Sequence, residues 1–455
     1  MALGVIECGP AGVGARLIGV KDSEVRWTDL DGKSIAYEVF GAGPIDLIFE
    51  QQWGPIDLLW ELPELASFLS QLGSIARVVM YDSIGSGASD RLLNRGASTV
   101  ELFADEVVAV LDAVDSPRAV LFDASAGLSS ATFAAMYPQR IQSLILTNLR
   151  ASYPELRMMT AAQRERFAKT LHGIRSLEVG NPRVAHDPVL RQWWARARRL
   201  RTSREDQRAQ VEWAVGVDNE SVLPTVRVPT LVLHRRDNRM FDIEASRAAA
   251  NLMPNATFVE LPGSESDLFL GDTGQVFAAI EEFLSEPQVE STLDRPLATV
   301  LFTDMVASTE QLAARGDAAW RQVLDNVDRA MDRIVAKYRG RVISHSGDGM
   351  LATFDGPARA VRCATRLLEA AREQGLTLRA GLHTGEIELR ASDVAGIAVH
   401  IASRIITLAE ANEILASRTV VDLTAGSDLE FEPRDEHELK GVPGTWPIFA
   451  VKSGI

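Results

Sequence analysis

Two aspartates in the last third of the chain stand where short aliphatic runs end. Asp304 follows the run LATVLFT and precedes small and hydroxyl residues that open a helix, and Asp348 lies in the glycine-rich turn SGDG. If the hairpin around Asp348 pairs beside the strand that ends at Asp304, the two carboxylates converge. Converging carboxylates can hold two divalent cations about 4 Å apart, an arrangement suited to phosphoryl transfer. For each aspartate alone, a helix cap or a hairpin turn is the alternative interpretation.

A serine in the first half of the chain has the surroundings of a nucleophile. Residues 120–127 read VLFDASAG, an aliphatic strand that runs into Ser125 and then into a small-residue helix start. A serine hydroxyl near neutral pH needs a base such as imidazole to take its proton. No histidine lies between His234 and His345, and His234 itself is better explained as a structural histidine at a strand end. We therefore expect Ser125 to be a weak nucleophile.

Short aliphatic runs alternate with amphipathic stretches from about residue 31 to residue 284. This alternation predicts an α/β fold in which helices cover a mostly parallel sheet. The predicted strands are 46–49, 77–81, 119–122, 143–147, 230–234 and 257–261.

Residues 151–223 interrupt the alternation because they are helical in pattern and rich in Arg and Trp. They predict a cap over the carboxyl edge of the sheet. Seven arginines lie between Arg191 and Arg208. We expect a solvated cap helix here, with Trp193 and Trp194 packed inward.

The polar stretch SEPQVESTLDR at 285–295 predicts a linker between a domain of residues 1–284 and a domain of residues 296–455. In the second domain, apolar residues recur every three or four positions from Trp320 to Tyr338, which predicts an amphipathic helix. The other predicted elements of this α+β domain follow in chain order: a hairpin around Asp348, a helix at 358–372, a strand pair at 376–390 and a helix at 396–411.

The region around Ser125 resembles the nucleophile elbow, G-x-S-x-G, of the α/β-hydrolase family, with Asp123 in place of the first glycine. In the family's chain order of serine, acid and histidine, Asp237 matches the acid. Ser266, in LPGSESDLF, stands where the histidine would be. The resemblance implies an α/β-hydrolase fold with a helical cap. Because the base is missing, we expect an inactive, vestigial site in a ligand-sensing or structural module.

The second domain resembles the class III nucleotide cyclase catalytic domain, which has a ferredoxin-like core. The resemblance rests on the order of several motifs: FTDMVAST at 302–309, SGDGM at 346–350, GLHTGE at 381–386, DVAGIAVHIASR at 393–404 and LKGVPGTW at 439–446. It implies an adenylyl cyclase that converts ATP to 3′,5′-cyclic AMP and pyrophosphate. It also implies two divalent cations per site, Mg²⁺ or Mn²⁺, on Asp304 and Asp348, and a homodimer with two shared sites.

The same resemblance assigns individual roles. Arg404 matches the transition-state arginine, and His400 stands where the family usually has an asparagine that positions the ribose. Asp393 matches the carboxylate that accepts from adenine's amino group, whereas Ser344 replaces a lysine, so ATP is preferred to GTP but purine selection is relaxed. The triphosphate contacts implied are Lys440 and the backbone at Val306, Ser308 and Thr309.

Composition sets broader limits on function. The net charge of −15 opposes general binding to nucleic acid or anionic membranes. Cys8 and Cys363 lack disulfide or zinc-site spacing, and residues 1–20 lack the pattern of a signal peptide or a membrane span. These features predict a cytoplasmic protein.

Three hypotheses remain at this point. The first is a homodimeric adenylyl cyclase with a regulatory hydrolase-like domain that binds an unknown small molecule. The second is a serine esterase that acts through Ser125 with a vestigial cyclase domain. The third is a pseudoenzyme sensor with neither activity.

Overall fold

A computed structural model describes residues 24–91, 99–171, 174–201, 203–285, 295–390 and 393–452. Most of the predicted linker and Cys8 lie outside these residues, and Cys363 is a buried free thiol. None of the helices in the described ranges combines the length and hydropathy needed to cross a membrane.

An eight-stranded sheet forms the N-terminal half. Its strands lie in the order β1-β2-β4-β3-β5-β6-β7-β8, with an antiparallel hairpin at one edge and parallel pairing from β4 onward. The strands are β1 (Arg26–Leu30), β2 (Lys33–Phe40), β3 (Asp46–Glu50), β4 (Arg77–Tyr81), β5 (Ala119–Asp123), β6 (Ile141–Thr147), β7 (Thr230–Arg235) and β8 (Ala256–Leu261). The six predicted strands are therefore present, and the fold is the expected α/β class.

Helices cover both faces of this sheet, and two apolar clusters lie between the layers. The helices are α1 (Pro63–Ile75), α2 (Thr99–Ala113), α3 (Leu128–Met136), α4 (Pro154–Arg157), α5 (Ala161–Leu171), α6 (Ile174–Gly180), α7 (Pro188–Arg201), α8 (Arg204–Gly216), α9 (Ile243–Leu252) and α10 (Gly274–Ser285). Helices α4 to α8 form the cap between β6 and β7. As expected, Trp193 and Trp194 are buried, and Trp193 Nε1 donates to the carbonyl of Leu58 at 2.9 Å.

A seven-stranded mixed sheet in the order β10-β11-β9-β12-β15-β17-β16 organises the C-terminal half. Its strands are β9 (Leu297–Met305), β10 (Arg341–Ser346), β11 (Gly349–Phe354), β12 (Leu378–Glu386), β15 (Ile414–Ser417), β16 (Phe431–Glu438) and β17 (Thr445–Val451). A separate two-stranded sheet contains β13 (Glu388–Arg390) and β14 (Asp393–Ala395). The helices are α11 (Ser308–Arg315), α12 (Asp317–Lys337), α13 (Pro357–Glu373), α14 (Ile397–Leu408) and α15 (Arg418–Leu423).

The two faces of this sheet differ. Helices α12, α13 and α15 pack on one face, whereas α14 packs on the other. The predicted strand pair at 376–390 is wrong in its pairing, because β12 lies between β9 and β15 while β13 pairs with β14. The amide of Ile387, between β12 and β13, instead donates to the carbonyl of Pro296 at 3.0 Å.

Buried polar contacts join the two halves. Glu101 of α2 is buried, and its Oε1 accepts from the amides of Ala358 and Arg359 at 2.7 and 3.2 Å, so it caps the start of α13. Asp105, one turn further along α2, forms an ion pair with the Arg359 side chain. Tyr137 donates to Asp355 at 2.6 Å.

Candidate functional site

Asp304 and Asp348 reach the same end of two adjacent strands. Thr303 of β9 pairs with Met350 of β11, so the turn residue Asp348 continues toward the end of β9 that carries Asp304. The two-residue turn Gly347–Asp348 links β10 to β11, and Gly347 has φ of 68°. That value fits the first position of a type II′ turn, where glycine carries no steric penalty.

The Asp304 carboxylate has a partner that the motif analysis missed. Arg379 lies directly opposite Asp304 in the β9–β12 pairing, and its Nε donates to Asp304 Oδ2 at 2.9 Å. Both side chains are 32% exposed, so the pair is screened by solvent. The alternating pattern of LTLRAGLHTGE would have placed Arg379 on this face had its pairing partner been known.

The carboxylate pair suits a hard divalent cation. Asp348 is half-buried, and its carboxylate has no hydrogen-bond partner among the described residues, while Asp304 can exchange Arg379 for a cation. Within the described ranges, no group of three or more Asp, Glu, His or Cys residues is arranged to hold a metal. Two carboxylates are nevertheless sufficient for Mg²⁺ when substrate phosphates and water supply the other ligands.

The segment after β9 offers fewer phosphate donors than expected. The amide of Val306 already donates to the carbonyl of Thr377 at 2.8 Å, so its predicted role as a phosphate donor is not supported by this conformation. Helix α11 begins after Ala307, which has φ of 59° and makes no side-chain cap bond. The first amides of an uncapped helix are available to an anion. Ser308 and Thr309 therefore remain the candidate donors.

Helix α14 carries His400 and Arg404 one turn apart on its outer side. Its inner side packs closely on β12 at Gly381. A Cβ at this position would lie only 2.4 Å from the backbone nitrogen of Ile406. Arg404 Nε donates to the carbonyl of Lys440 at 3.2 Å. The structure thus brings Arg404 and Lys440 together, beside an open depression of about 450 Å³ formed by residues 438–445.

Buried His383 helps to hold this region in place. Its Nδ1 is 2.8 Å from Ser417 Oγ, and its ring meets Trp446 edge to face, with 5.6 Å between centroids. Burial lowers the pKa of His383 to about 3, so it stays neutral. It therefore links β12 to the end of β15 and to β17 and has a structural role.

Ser344 and Asp393 lie on neighbouring elements, β10 and β14. Both residues are exposed, and Ser344 follows an irregularity in the β10–β11 register. Asp393 Oδ1 accepts from the amide of Val394 at 2.8 Å, which leaves its other oxygen facing solvent. No hydrogen bond or ion pair of the described residues joins these two residues, His400 or Arg404 to either Asp304 or Asp348.

The Ser125 region is organised around Asp123. Asp123 Oδ1 accepts from both the amide and the hydroxyl of Ser125 at 2.6 Å, and its Oδ2 accepts from Ser130 Oγ at 2.6 Å. Burial raises the pKa of Asp123. The turn has positive φ at Ala126 and Gly127, 92° and 73°. The aspartate that replaces glycine thus holds the serine hydroxyl.

The residues predicted around Ser125 do not form a triad. Asp237 is exposed, on the rim of a depression of about 520 Å³. Ser266 is buried, and its hydroxyl donates to the carbonyl of Gly180 at 3.0 Å. His234 is fully buried, its Nδ1 is 2.9 Å from the carbonyl of Arg235, and burial lowers its pKa. The structural interpretation of His234 is thereby favoured.

The arginine-rich cap helix differs from the expectation of a solvated surface. Arg201 is only 6% exposed. Arg198 is half-buried, donates through Nη1 to the carbonyl of Gln52 at 2.8 Å and lies over the Trp194 ring. The prediction failed for these two residues because the end of α7 turns toward the carboxyl edge of the sheet.

Comparisons with known families agree with this division of the chain. Residues 57–273 match a family model described as the alpha/beta hydrolase fold. Residues 294–453 match the model of the adenylate and guanylate cyclase catalytic domain.

Individual relatives match one half each. A putative adenylate cyclase 3 of Rhizobium meliloti (strain 1021) is 26% identical over 162 residues, which are 34% of this chain and 28% of that protein. A putative carbamate hydrolase RutD of Caulobacter sp. (strain K31) is 25% identical over 265 residues, covering 55% of this chain and 95% of the relative. The solved enol-lactonase from Burkholderia xenovorans LB400 is 21% identical, with a TM-score of 0.48 over 57% of this chain and 100% of that chain.

Proposed function

We propose that this chain is an adenylyl cyclase with a catalytically inactive hydrolase-like domain. Residues 57–273 belong to the α/β-hydrolase fold family, and residues 294–453 belong to the class III adenylate and guanylate cyclase family. The observation that carries the proposal is the pair of half-exposed aspartates at adjacent strand ends, Asp304 and Asp348. The chain spans only 28% of the cyclase relative's length, so its substrate is part of the proposal.

In this proposal, Asp304 and Asp348 hold two divalent cations, Mg²⁺ or Mn²⁺. When bound, such cations supply charge neutralisation of the triphosphate and acidify the ribose 3′-hydroxyl. The amides of Ser308 and Thr309 orient the phosphates at the start of α11. The Arg404 guanidinium donates to oxygens of the α-phosphate, where negative charge grows as the pyrophosphate leaves.

The remaining residues position the nucleoside. His400 donates a hydrogen bond to the ribose, and Lys440 contacts the phosphates. Asp393 accepts from the amino group of adenine and repels the carbonyl oxygen of guanine, which favours ATP. Ser344 is too short to replace the lysine expected at its position, so we expect weak substrate binding.

We also propose that the site forms between two copies of the chain. In each site, Asp304 and Asp348 come from one copy, and Ser344, Asp393, His400 and Arg404 come from the other. Two features support this arrangement: no described contact joins the two groups within one chain, and the Asp304 side chain is 32% exposed. A two-fold pair would then hold two equivalent sites.

The direct test is formation of cyclic AMP from ATP by the full-length chain with Mn²⁺ or Mg²⁺, with GTP as the competing substrate. We expect cyclic AMP with either metal and slower cyclic GMP formation. Failure to form either product, in protein that is folded and dimeric, would contradict the proposal.

Complementation tests the shared site. Chains with Asp304→Ala and chains with Arg404→Ala are each inactive alone, and a mixed dimer retains one complete site. We expect mixing to restore part of the activity. Demonstrated mixed dimers without recovered activity would contradict the assignment of these residues to opposite copies.

A substitution at Ser344 tests the base site. Ser344→Lys restores a long cationic donor, and we expect it to lower the KM for ATP. Arg341→Lys, in the same strand, serves as the matched control. An unchanged KM in Ser344→Lys would remove Ser344 from the base site.

For the hydrolase-like domain, we propose absence of ester hydrolysis. The Ser125 hydroxyl donates a hydrogen bond to buried Asp123, while Ser266 and Asp237 make no contact with Ser125 among the described residues. Generic aryl esters test this point, with Ser125→Ala as the control. Turnover that disappears in Ser125→Ala would instead establish a serine esterase with an unrecognised base.

A further inference from the structure

A cluster of buried ionisable groups lies beneath the cap, at the carboxyl edge of the N-terminal sheet. Glu50 and Asp123 end the adjacent strands β3 and β5 and pair in register, and Asp82 follows β4. All three are buried. In open α/β sheets, ligands bind outside the carboxyl ends of the strands. This edge therefore lies in the position of a ligand site, whether or not Ser125 acts as a nucleophile.

Arg201 enters this cluster from the end of α7. Its carbonyl accepts from the amide of Gly87 at 3.1 Å, which anchors the helix end to the loop after β4. Its Nη1 is buried and has no hydrogen-bond partner among the described residues. A guanidinium has five N–H donors, and leaving buried donors unpaired costs free energy. Arg201 is therefore a buried cation with unused hydrogen-bonding capacity.

A second arginine lies one turn earlier on α7. Arg198 is held over the Trp194 ring, with 4.8 Å from Cζ to the ring centroid. Its Nε is also buried and has no partner in the described part of the chain. Burial and the charge of Arg201 lower the pKa of Arg198 to about 10, so Arg198 remains charged near neutral pH. Burial also lowers the pKa of Arg201, and the charges of Glu50 and Asp82 oppose this shift. Arg198 Nη1 donates to the carbonyl of Gln52, but Arg198 Nε and Arg201 Nη1 remain buried donors without a partner among the described residues.

The neighbouring carboxylates are committed to other donors. Asp82 accepts from the amides of Ile56 and Ala88 at 3.2 and 2.9 Å. Asp267, near Arg198, accepts from Trp53 Nε1 at 2.7 Å and from Asn181 Nδ2 at 2.6 Å.

Glu50 is also a poor counter-ion. Burial, followed by the charge of Asp123, raises the pKa of Glu50 to about 8. Near neutral pH it is therefore mostly protonated. Asp82 and Asp267 attract Arg201 and Arg198 through their charges, but among the described residues no hydrogen bond or ion pair joins a carboxylate to either guanidinium group.

We infer that a small monocarboxylate binds between the cap and the carboxyl edge of the sheet, where its oxygens accept hydrogen bonds from Arg201 and Arg198. A planar carboxylate matches the fork of a guanidinium. A single negative charge fits better than a phosphate dianion, because Asp82, Asp123 and Asp267 surround the site. Trp53 and Trp194 belong to the adjoining apolar cluster and favour an organic acid with a hydrocarbon tail. This inference does not depend on cyclase activity.

The test is calorimetric titration of the full-length protein with butyrate and benzoate, against inorganic phosphate and chloride at matched ionic strength. We expect saturable binding of a monocarboxylate. Arg201→Met should weaken it by at least about tenfold, because a charge-assisted hydrogen bond is lost. Arg196→Met, on the exposed side of the same helix, is the matched control and should leave the affinity unchanged.

Arg198→Gln provides a second variant, at a half-buried position, if Arg201→Met fails to fold. It should weaken binding in the same direction. No saturable binding of either carboxylate below about 10 mM would overturn the inference. Equal affinity for phosphate would overturn the proposed ligand class, and unchanged affinity in a folded Arg198 or Arg201 variant would overturn the site.

Discussion

The Ser125 and Asp304 regions both place polar side chains at strand ends, but they leave these side chains in different states. Asp123, next to Ser125, is buried and accepts three hydrogen bonds from its own segment. Asp348 is half-exposed and accepts none from the described residues. A polar group whose hydrogen bonds are already made within the protein cannot readily bind a substrate. An unsatisfied polar group at the surface can.

This contrast distinguishes polar groups that stabilise a turn from polar groups that still have free hydrogen-bonding capacity for a ligand. Asp123 stabilises the turn at Ser125, because its carboxylate accepts hydrogen bonds from the amide and the hydroxyl of Ser125. Arg201 belongs to the second kind although it lies in the hydrolase-like domain, since its Nη1 is buried without a partner in the described chain. We therefore expect this domain to bind a ligand without converting it.

The strongest test of the contrast removes the charge of each aspartate in the Asp304 region. If the proposed cyclase site is right, Asp304→Asn and Asp348→Asn should each lower kcat at least about 100-fold, because cation binding and transition-state stabilisation would be lost together. The measurement is the rate of cyclic AMP formation at saturating Mn²⁺. Asp435→Asn, the same change on the exposed strand β16, is the control and should have no effect. Comparable losses in all three variants would remove the special role of the pair.

The second prediction concerns the contact between the two regions. Glu101→Ala removes the acceptor for two amides at the start of α13 and should lower the free energy of unfolding by about 2 kcal/mol. Urea unfolding followed by tryptophan fluorescence measures this change. Glu101→Gln keeps an acceptor and should cost less. Glu64→Ala, at the exposed first turn of α1, is the control. Equal stability of Glu101→Ala and Glu64→Ala would show that the cap bond contributes nothing.

Much of the fold could be predicted from the sequence because the parallel strands are fully apolar runs. Residues 119–122 and 230–234, for example, are buried on both faces, which makes them easy to distinguish from the helices around them. Strands β1 and β2 were missed, since they form an edge hairpin with mixed exposure. The short strand β13 was mispaired and β14 was missed, because a three-residue strand carries too little pattern to choose its partner.

The candidate site could be predicted only as far as motifs specify it. Short sequence motifs were sufficient to identify Asp304, Asp348, His400 and Arg404. Arg379 was missed because its relation to Asp304 depends on the register of two strands 75 residues apart. The burial of Arg201 was missed for a similar reason: charge patterning describes the average exposure of a helix and not the direction of its last turn.

The third prediction uses the buried carboxyls Glu50 and Glu106. Burial raises the pKa of each from 4.5 to about 8. Both groups are therefore protonated in the folded chain over a range in which the unfolded chain has lost the proton. Their contribution to stability is complete below about pH 4.5 and is lost as the pH rises toward 8, by roughly 1.4 kcal/mol per pH unit for each group.

A neutral replacement isolates this contribution. Glu106 Oε1 accepts from the amide of Ile84 at 2.7 Å, and the amide oxygen of glutamine can accept the same bond. Glu106→Gln should therefore make the urea midpoint less dependent on pH between about pH 5.5 and 7.5. Exposed Glu220→Gln should retain the dependence of the unmodified chain. Parallel pH profiles for Glu106→Gln and the unmodified chain would contradict the assignment.

The smallest predicted effect is at Arg379. In the proposed site, the ion pair of Arg379 with Asp304 would compete with cation binding, but exposed pairs contribute at most about 1 kcal/mol. Arg379→Met should therefore lower the Mn²⁺ concentration for half-maximal activity by about threefold while kcat changes little. Arg366→Met, which removes a surface ion pair on α13, is the control. A large fall in kcat would instead make Arg379 part of the catalytic machinery. The Asp304 carboxylate would then be held by a protein contact, as the Asp123 carboxylate is.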